Sequence, residues 1–473
     1  MHASKLLQLF STLTKKEVKG FLVYLQSDYF NKNEHFKELA SYIAKHADNL
    51  DSAALEREKA FKEVFHNEQF DEAKMRYLMS DLTKMLEDYL IQITFEKDEF
   101  QRKLMLSRAL QERKAEKNFT QALDDLYKLN DKEGLRDSNY YFNQYLIEEL
   151  SYNHTSEKRN RSLDSSLQEV IDNLEIAYLS KSFKYYCEMM NRSNILQVQY
   201  NLKFFNEMMK YLVKGSFNDI PAIRIYLCIY ISLKDFDNQE NYHELLKLID
   251  ENTKLFSKKE LRDMYVFAQN YCIKRINNGF EGALEQIFQL YKVIVDKDLI
   301  YEGNYVSQPD FKNIVTTALR LGYVDWTLEF INKYKDKLNP EFQENAWTYS
   351  MAWIEFSRKN YKEALRMLLR VEFNDVYYHL DSKSLLLKTY FEMNETESLL
   401  SLFDAFKIYL KRNKFISEFQ RKTYQNFVKV SHILLKVKLG KQKMNEALID
   451  EINKTTPLAD ASWIKQKIEA LSK

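Results

Sequence analysis

The sequence is short of the two residues that interrupt helices, since its 473 residues include only 8 glycines and 4 prolines. Sheet-rich folds use these residues at their tight turns, and nucleotide-binding α/β folds need glycine in the loops that hold phosphate. Neither the GxGxxG nor the GxxxxGK[ST] pattern occurs. The shortage therefore predicts an all-α fold and argues against an α/β fold that binds a nucleotide.

Cysteine is scarce as well, and Cys187, Cys228 and Cys272 lie roughly forty residues apart with no CxxC pair. An odd and widely spaced set argues against a disulfide framework and favours a reducing compartment. Each cysteine lies in an apolar stretch, which predicts buried structural thiols rather than reactive ones.

Long apolar runs are also missing. No stretch reaches the ~20 consecutive apolar residues that span a bilayer. The run near the start, Leu6-Leu7-Gln8-Leu9-Phe10, is too short and too soon interrupted for a signal peptide. Together with the cysteine pattern, this predicts a cytoplasmic protein without a membrane partner.

Motifs for catalysis, cofactors and metals are missing too. The 8 histidines form neither HExxH nor an i, i+4 pair, and His35-Phe36-Lys37-Glu38 has no third ligand. No GxSxG nucleophile motif occurs, and none of the many carboxylates is singled out as a catalytic pair. We therefore predict no enzyme activity, cofactor or metal. The remaining alternative is an enzyme within helical repeats, recognisable by a deep polar pocket of clustered carboxylates or histidines.

The residues that are abundant indicate a folded chain with more than one ordinary core. Apolar residues make up 45 % and charged residues 29 % of the sequence, which is the balance of a globular protein. A chain of this length forms roughly two to four domains or one elongated repeat array.

Residues 1–97 predict an N-terminal helical domain. Thr14-Lys15-Lys16-Glu17 fits a capping box at a helix start, and Asp71 can cap a longer helix further on. Apolar residues in that longer helix recur every three or four positions, which predicts a seam packed against other helices. They are Met75, Met79, Leu82, Leu86, Tyr89 and Ile93.

A short motif recurs further along the chain as Asn118-Phe119-Thr120-Gln121-Ala122-Leu123, Gly279-Phe280-Glu281-Gly282-Ala283-Leu284 and Asn360-Tyr361-Lys362-Glu363-Ala364-Leu365. Each copy places an aromatic ring three positions before an alanine, and weaker copies begin at Val324 and Thr396. The pattern resembles the tetratricopeptide repeat, in which the aromatic begins the second helix of a pair and the small residue lets the two helices approach. The resemblance implies an α-solenoid of degenerate helix–turn–helix repeats.

The resemblance varies along the chain. It is firm from Ile314 to Tyr409, and residues 135–260 show no clean copy. We therefore predict an N-terminal helical domain (1–97), poorly matching helical repeats (98–260), and a tetratricopeptide-like α-solenoid with C-terminal capping helices (261–473). Asn339-Pro340 and Thr456-Pro457 each predict a helix start. The segment Tyr29-Phe30-Asn31-Lys32-Asn33 also resembles uncharacterised bacterial helical proteins, which implies no function.

In tetratricopeptide proteins the first helix of each pair lines a concave groove. Carried onto this sequence, the resemblance directs three sets of side chains inward: Lys312, Thr316 and Leu319; Tyr349, Trp353 and Phe356; Ser384, Lys388 and Phe391. Recognition surfaces use exposed aromatic rings. We therefore expect Tyr349, Trp353 and Phe356, together with Lys312 and Lys388, to bind a partner. If the register is one residue off, the rings fill the core instead.

The chain is nearly neutral, with a formal net charge of +1, but its last part is basic. Residues 401–473 hold 15 Lys and Arg against 7 Asp and Glu, whereas residues 1–100 hold 14 against 18. Interleaved aromatics such as Phe415 and Phe419 suit a surface that binds nucleic acid, although their helical spacing also suits core packing. The basic residues of this patch are Lys411, Arg412, Lys414, Arg421, Lys422, Lys436, Lys438, Lys441 and Lys443.

Two functions are consistent with these patterns. The first is a non-enzymatic scaffold or adaptor that binds a peptide or protein partner in the concave groove. The alternative is a nucleic-acid-associated regulator that uses the basic C-terminal helices or the N-terminal helical domain. Only the alternative predicts retention on heparin that falls steeply with salt. We predict the scaffold.

Overall fold

The protein is almost entirely helical. Its structure is a computed structural model that describes residues 1, 4–66, 68–157, 166–196, 199–212, 215, 217–371 and 376–472. Over these ranges it contains 23 α-helices, three short 3-10 turns and one two-stranded antiparallel hairpin. The all-α prediction is confirmed. None of the described helices combines the length and the apolar character needed to cross a membrane.

The chain divides into two compact units. The first comprises Met1–Lys132 and Ile147–Asp164, and the second comprises Glu133–Leu146 and Ser165–Lys473. The boundaries of these units differ from the domain boundaries expected after residues 97 and 260. Whether the expected domains fold independently remains a prediction.

The first unit contains a helical core built around one long helix. Its capping box is confirmed, because the Thr14 hydroxyl accepts from the Glu17 backbone N–H at 3.2 Å and the Glu17 carboxylate accepts from the Thr14 N–H at 2.9 Å. The seam predicted after Asp71 is buried from Met75 to Tyr89. Its helices are α1 (Lys5–Phe10), α2 (Lys15–Gln26), α3 (Glu34–Lys45), α4 (Arg57–Phe65), α5 (Glu72–Lys97), α6 (Glu99–Glu112), α7 (Glu116–Asp131) and the second part of α8 (Ser138–Glu157).

The second unit contains the remaining helices and the hairpin. The hairpin strands are β1 (Tyr301–Glu302) and β2 (Tyr305–Val306). The helices after α8 are α9 (Ser166–Leu196), α10 (Phe205–Leu212), α11 (Pro221–Lys234), α12 (Gln239–Glu251), α13 (Lys258–Asn277), α14 (Ala283–Asp296), α15 (Gln308–Arg320), α16 (Val324–Tyr334), α17 (Pro340–Ser357), α18 (Tyr361–Leu368), α19 (Val376–Met393), α20 (Thr396–Arg412), α21 (Glu418–Lys438), α22 (Glu446–Asn453) and α23 (Ala461–Leu471).

Most helices of the second unit pack as consecutive pairs. From α11 to α20, each odd-numbered helix packs on the helix that follows it, and α15, α17 and α19 also pack on one another in sequence. Ala283 and Ala364, the small residues predicted to permit close approach, are buried, and so is Thr327, which holds the same position in the copy that begins at Val324. A buried alanine or threonine lets two helix backbones approach closely, which accounts for the pairing of α17 with α18.

The last helix begins later than the sequence pattern indicated. Thr456 and Pro457 were predicted to begin a helix, but they lie in the turn before α23, which begins at Ala461. The prediction is wrong, because residues 454–460 form turns and Asp460 rather than Thr456 precedes the first helical residue. The prediction at Asn339-Pro340 is confirmed, with the Asn339 side chain accepting from a first-turn N–H.

Candidate functional site

The side chains predicted to line a groove lie on α15, α17 and α19, but most of them are buried. Tyr349 is fully buried, Trp353 and Lys388 expose 6 % and 2 % of their surface, and Phe356 is half-buried. Lys312 is buried as well. The expectation of exposed aromatic rings is therefore wrong for Tyr349 and Trp353, which fill the core as the alternative register implied, whereas Phe356 is partly exposed. We call the side of these three helices that carries the five residues the α15–α17–α19 face.

Contacts among the side chains themselves explain this burial. The Trp353 indole N–H donates to the Tyr349 hydroxyl at 2.8 Å, and the Tyr349 ring meets the Tyr378 ring edge-on at 5.2 Å. The Lys388 ammonium lies 4.2 Å from the centre of the Trp353 ring. A ring whose polar atom has a partner can be buried without an unsatisfied donor, so Trp353 contributes to the packed interior.

Five charged side chains meet at this face, and we call them the ionic cluster: Lys312, Arg320, Asp381, Lys388 and Asp460. The Lys312 Nζ lies 2.6 Å from Asp381 Oδ2. The Asp460 Oδ1 lies 3.1 Å from Lys388 Nζ and 3.2 Å from an Arg320 guanidinium nitrogen. Because Asp381 pairs with Lys312 and Asp460 contacts Lys388 directly, Asp460 supplies the negative charge that the buried Lys388 needs.

The Asp460 carboxylate contacts three side chains of the second unit. Its second oxygen accepts a hydrogen bond from the Ser384 hydroxyl at 2.6 Å. Burial alone would raise the pKa of Asp460, but the charges of Lys388 and Arg320 and the hydrogen bonds outweigh burial and lower the pKa to about 2. Burial also lowers the pKa of Lys388, an effect that the charge of Asp460 opposes. Asp460 therefore remains ionised at every physiological pH.

The Asp381 carboxylate forms the other half of the cluster. It accepts from the Tyr424 hydroxyl at 2.6 Å as well as pairing with Lys312. Burial, followed by the charge of Asp381, raises the pKa of Tyr424 well above its usual value. Tyr424 therefore stays a phenol that donates to Asp381 throughout the physiological range.

Acid is expected to weaken the cluster in a defined pH window. A carboxyl whose pKa is lower in the folded than in the unfolded chain adds stability above the unfolded value, and that stability is lost as the pH falls through the folded value. For Asp460 the loss lies between about pH 4 and pH 2. The groups that face Asp460 are Arg320 on α15 and Ser384 and Lys388 on α19.

The measurement is urea unfolding at pH 5, 4 and 3. We expect the wild-type chain to lose more free energy of unfolding over this series than Asp460→Asn, by about 1–2 kcal/mol. Equal losses in the two chains would contradict the depressed pKa of Asp460.

A segment near the end of the chain contacts the same helices, and we call residues 455–472 the C-terminal segment. The Trp463 ring lies 5.3 Å from the Phe391 ring and 6.0 Å from the Phe427 ring. Its indole N–H donates to Glu392 at 2.9 Å, and Lys467 Nζ lies 2.6 Å from the same carboxylate. The segment is thus attached to α19 and α21 through Trp463 and to α15 and α19 through Asp460.

Sequence reasoning missed most of the ionic cluster. Only Lys312 and Lys388 were singled out, whereas Arg320, Asp381 and Asp460 were not. Arg320 follows Lys312 by two helical turns, so the spacing on one helix face could have revealed it. No short-range signal connects Asp460 with α15 or α19, because it lies in a turn far along the chain.

Comparisons with models of known protein families, with curated proteins and with solved structures found no match for this chain. The proposals below therefore depend on the geometry of the chain's own residues.

His35 and Glu38, which were considered as metal ligands, lie at the protein surface. The His35 Nδ1 lies 3.0 Å from Glu38 Oε2, and both side chains are about half-exposed. Within the described ranges, no group of three or more His, Cys, Asp or Glu side chains is arranged to hold a metal ion.

The three thiols are expected to be unreactive in the folded protein. Cys187 and Cys272 are buried and Cys228 is half-buried. Burial raises the pKa of Cys228 and of Cys272 to about 11 and also raises that of Cys187. Only the thiolate attacks an aromatic disulfide reagent, so we expect labelling of the native protein to be at least about tenfold slower than that of the urea-unfolded chain. Fast labelling of native Cys187 would contradict this.

The basic residues near the end of the chain are divided into two groups along α21. Lys411, Arg412, Lys414 and Lys422 are exposed near its start, and Lys436, Lys441 and Lys443 are exposed near its end. The 14 residues from Lys422 to Lys436 separate the groups by about 21 Å along the helix. The sequence therefore predicted one patch where the structure has two groups.

Two of the predicted basic residues have structural contacts. Arg421 is half-buried and donates to the backbone oxygens of Asn413 and Ile416 at 2.9 and 3.2 Å. Lys438 donates to the Phe391 backbone oxygen at 2.6 Å and lies over the Phe391 ring. Both side chains hold neighbouring segments together.

The aromatic residues of this region are also divided. Phe427 is buried and Tyr424 is half-buried, whereas Phe415 and Phe419 expose 83 % and 43 % of their surface. Core packing therefore accounts for the first two rings and not for the other two. Phe415 lies next to Lys414 in the turn between α20 and α21.

Proposed function

We propose that the protein is a non-enzymatic scaffold of tetratricopeptide-like helical pairs that binds a peptide or protein partner at the α15–α17–α19 face. The observation that supports the proposal most is that the C-terminal segment is already bound at this face. The Asp460 carboxylate lies within 3.2 Å of Arg320 and Lys388, and the Ser384 hydroxyl donates to it. Charge-assisted hydrogen bonds to a carboxylate are among the strong ones in proteins, so two cations and a hydroxyl can hold a carboxylate of a partner.

The composition of the face also supports binding rather than catalysis. Of its three aromatic side chains only Phe356 is partly exposed, and exposed aromatic side chains are enriched where proteins bind one another. The two lysines of the face pair with Asp381 and with Asp460 of the C-terminal segment, so both already hold carboxylates. Phe356 lies at the edge of the face, half-buried, with Lys388 Nζ 5.5 Å from its ring centre.

Site-specific photo-cross-linking tests this proposal. A benzophenone amino acid replaces Phe356 in one full-length chain and the exposed Phe415 in another, and both are irradiated in native lysate. We expect the chain labelled at position 356 to capture a discrete protein in nuclease-treated lysate. Capture of protein only from position 415, or of nucleic acid only, would contradict binding at the α15–α17–α19 face.

A second function, nucleic-acid binding, is favoured by the exposed ring of Phe415. An exposed aromatic ring beside basic side chains can stack on a base while the cations contact phosphates. Lys411, Arg412, Lys414 and Lys422 are the exposed members of the predicted basic patch that lie near it in the sequence. We propose this surface as the site to test for single-stranded nucleic acid.

The test is fluorescence anisotropy with a labelled single-stranded 20-mer at two salt concentrations. If the second function holds, affinity falls steeply with salt, and Phe415→Ala weakens binding by about tenfold through loss of stacking. The control variant is Tyr305→Ala, which removes a ring that is 43 % exposed on the hairpin. Equal weakening by both variants, or no binding at low salt, would contradict this function.

A further inference from the structure

The position of Asp460 is unusual for a residue that precedes a helix. An aspartate at an N-cap normally accepts from the first-turn N–H groups of its own helix, as Asp71 does from Ala73 and Lys74 at 2.8 and 3.0 Å. Asp460 makes no such bond, and its backbone is left-handed, with φ of 48° and ψ of 37°. Its carboxylate instead contacts α15 and α19. Asp460 therefore makes contacts far along the sequence and no hydrogen bond to the first turn of its own helix.

The receptor for this carboxylate is positively charged once Asp460 is set aside. Asp381 is already bound by Lys312 and by Tyr424. The remaining cations, Arg320 and Lys388, therefore have Asp460 as their carboxylate partner within the ionic cluster. Lys388 exposes only 2 % of its surface, and a buried ammonium without an anion is costly, so this site requires a carboxylate.

The rest of α23 supplies further anchors at regular helical positions. Trp463 follows the carboxylate by three residues and packs between Phe391 and Phe427. Ile464 and Ile468 are buried, and Lys467 pairs with Glu392. An acid, an aromatic at i+3, apolar residues at i+4 and i+8 and a base at i+7 all lie on one helix face.

From this geometry we propose that the site formed by Arg320, Ser384 and Lys388, with the rings of Phe391 and Phe427, is the receptor for an amphipathic helical segment of a partner protein. That segment carries an acidic residue before its first turn and an aromatic residue three positions later. The C-terminal segment is its intramolecular counterpart and exchanges with it. The inference rests on the proposed scaffold function and names the class of partner.

The way the segment is connected permits this exchange. Residues 454–460 form turns rather than helix, so α23 is joined to α22 by a short non-helical stretch. A tethered segment competes with a free one at an effective concentration on the order of millimolar. A partner helix therefore binds weakly while the C-terminal segment is in place and more tightly when its anchors are weakened.

A synthetic peptide of residues 455–472 with a fluorescent label provides the direct test. Its anisotropy is measured with the full-length wild-type chain and with full-length Asp460→Asn and Trp463→Phe, each of which weakens a different anchor. We expect the peptide to bind both variants at least about tenfold more tightly than the wild type. The matched control is the same peptide with Asp460→Asn, which we expect to bind each variant chain at least about tenfold more weakly than the native peptide.

Circular dichroism and unfolding midpoints establish that each chain is folded. If folded Asp460→Asn and Trp463→Phe bind the native peptide no more tightly than the wild type, the proposal is wrong. Equal binding of the native and the control peptide would also overturn it.

The peptide-binding test and the cross-linking test at position 356 can give different results, so failure of one proposal can be distinguished from failure of the other. A protein cross-linked at position 356, with no peptide binding to the variants, would reject the exchange and leave the scaffold. Peptide binding without a cross-linked protein would support this site and reject the scaffold.

Discussion

Replacing Asp460 by asparagine is expected to lower the free energy of unfolding by about 3–5 kcal/mol. The substitution keeps the side-chain size and removes the negative charge that lies 3.1 Å from Lys388. Lys388 is then a buried ammonium whose nearest carboxylate has been lost, and an uncompensated buried charge accounts for most of the expected loss. Urea unfolding followed by circular dichroism measures it.

The double variant Asp460→Asn with Lys388→Met tests whether the unpaired ammonium causes this loss of stability. Because methionine removes the unpaired ammonium and fills a similar volume beside Trp353, we expect the double variant to be more stable than Asp460→Asn alone. The matched control is Glu451→Gln, which removes a carboxylate 3.3 Å from Lys429 in an exposed pair. The control is expected to change stability by less than about 1 kcal/mol. A double variant less stable than the single one would show that the two charges do not interact as described.

Replacing Trp463 by alanine is expected to cost about 3–5 kcal/mol as well. The indole packs between the rings of Phe391 and Phe427 and donates to Glu392. Alanine leaves a cavity there and removes one hydrogen bond to Glu392, whose carboxylate keeps its ion pair with Lys467. Because α23 loses its largest anchor, we expect cleavage by trypsin at Lys465 or Lys467 to precede unfolding of the remaining chain.

Limited proteolysis with mass spectrometry measures this local release. Trp463→Phe keeps a ring at the position and is expected to show much slower cleavage than Trp463→Ala. If trypsin cuts Trp463→Ala throughout the second unit at the same rate as at Lys465, the segment does not detach separately, and the description of α23 as an attached segment is wrong.

Much of the fold could be predicted because it depends on residues within one or two helical turns. The capping box at Thr14 and Glu17, the seam after Asp71 and the buried small residues Ala283 and Ala364 follow from such short-range patterns. The scarcity of glycine and proline predicted the all-α fold for the same reason, because each of these residues interrupts a helix at its own position.

The candidate site could be predicted only in part. The tetratricopeptide resemblance brought Lys312, Trp353 and Lys388 to attention, and the three residues do lie on neighbouring helices. Their burial was not predictable, since it depends on what packs against them. Asp460 pairs with Arg320 across 140 residues of sequence, and no periodic pattern reports a contact of that range. Phe415 shows the opposite error, because helical spacing indicated packing for a ring that lies in an exposed turn.

The claim that a protein partner binds at the α15–α17–α19 face is tested most directly by a pull-down from lysate with and without nuclease. The pull-down compares the wild type with a variant that blocks this face. Thr316 lies one turn from both Lys312 and Arg320 on α15. A glutamate there would pair with these cations along the helix, so Thr316→Glu is expected to fold while it competes with a partner's carboxylate. Thr120→Glu is the matched control, since the Thr316 and Thr120 hydroxyls donate to the carbonyl one turn back at 3.0 and 3.1 Å.

Tagged full-length chains are used to capture partners from native lysate with and without nuclease. We expect the wild type and Thr120→Glu to retain the same discrete protein after nuclease treatment, and Thr316→Glu to lose it. Capture that disappears with nuclease, or that Thr316→Glu leaves unchanged, would contradict a protein-binding scaffold that works through the α15–α17–α19 face.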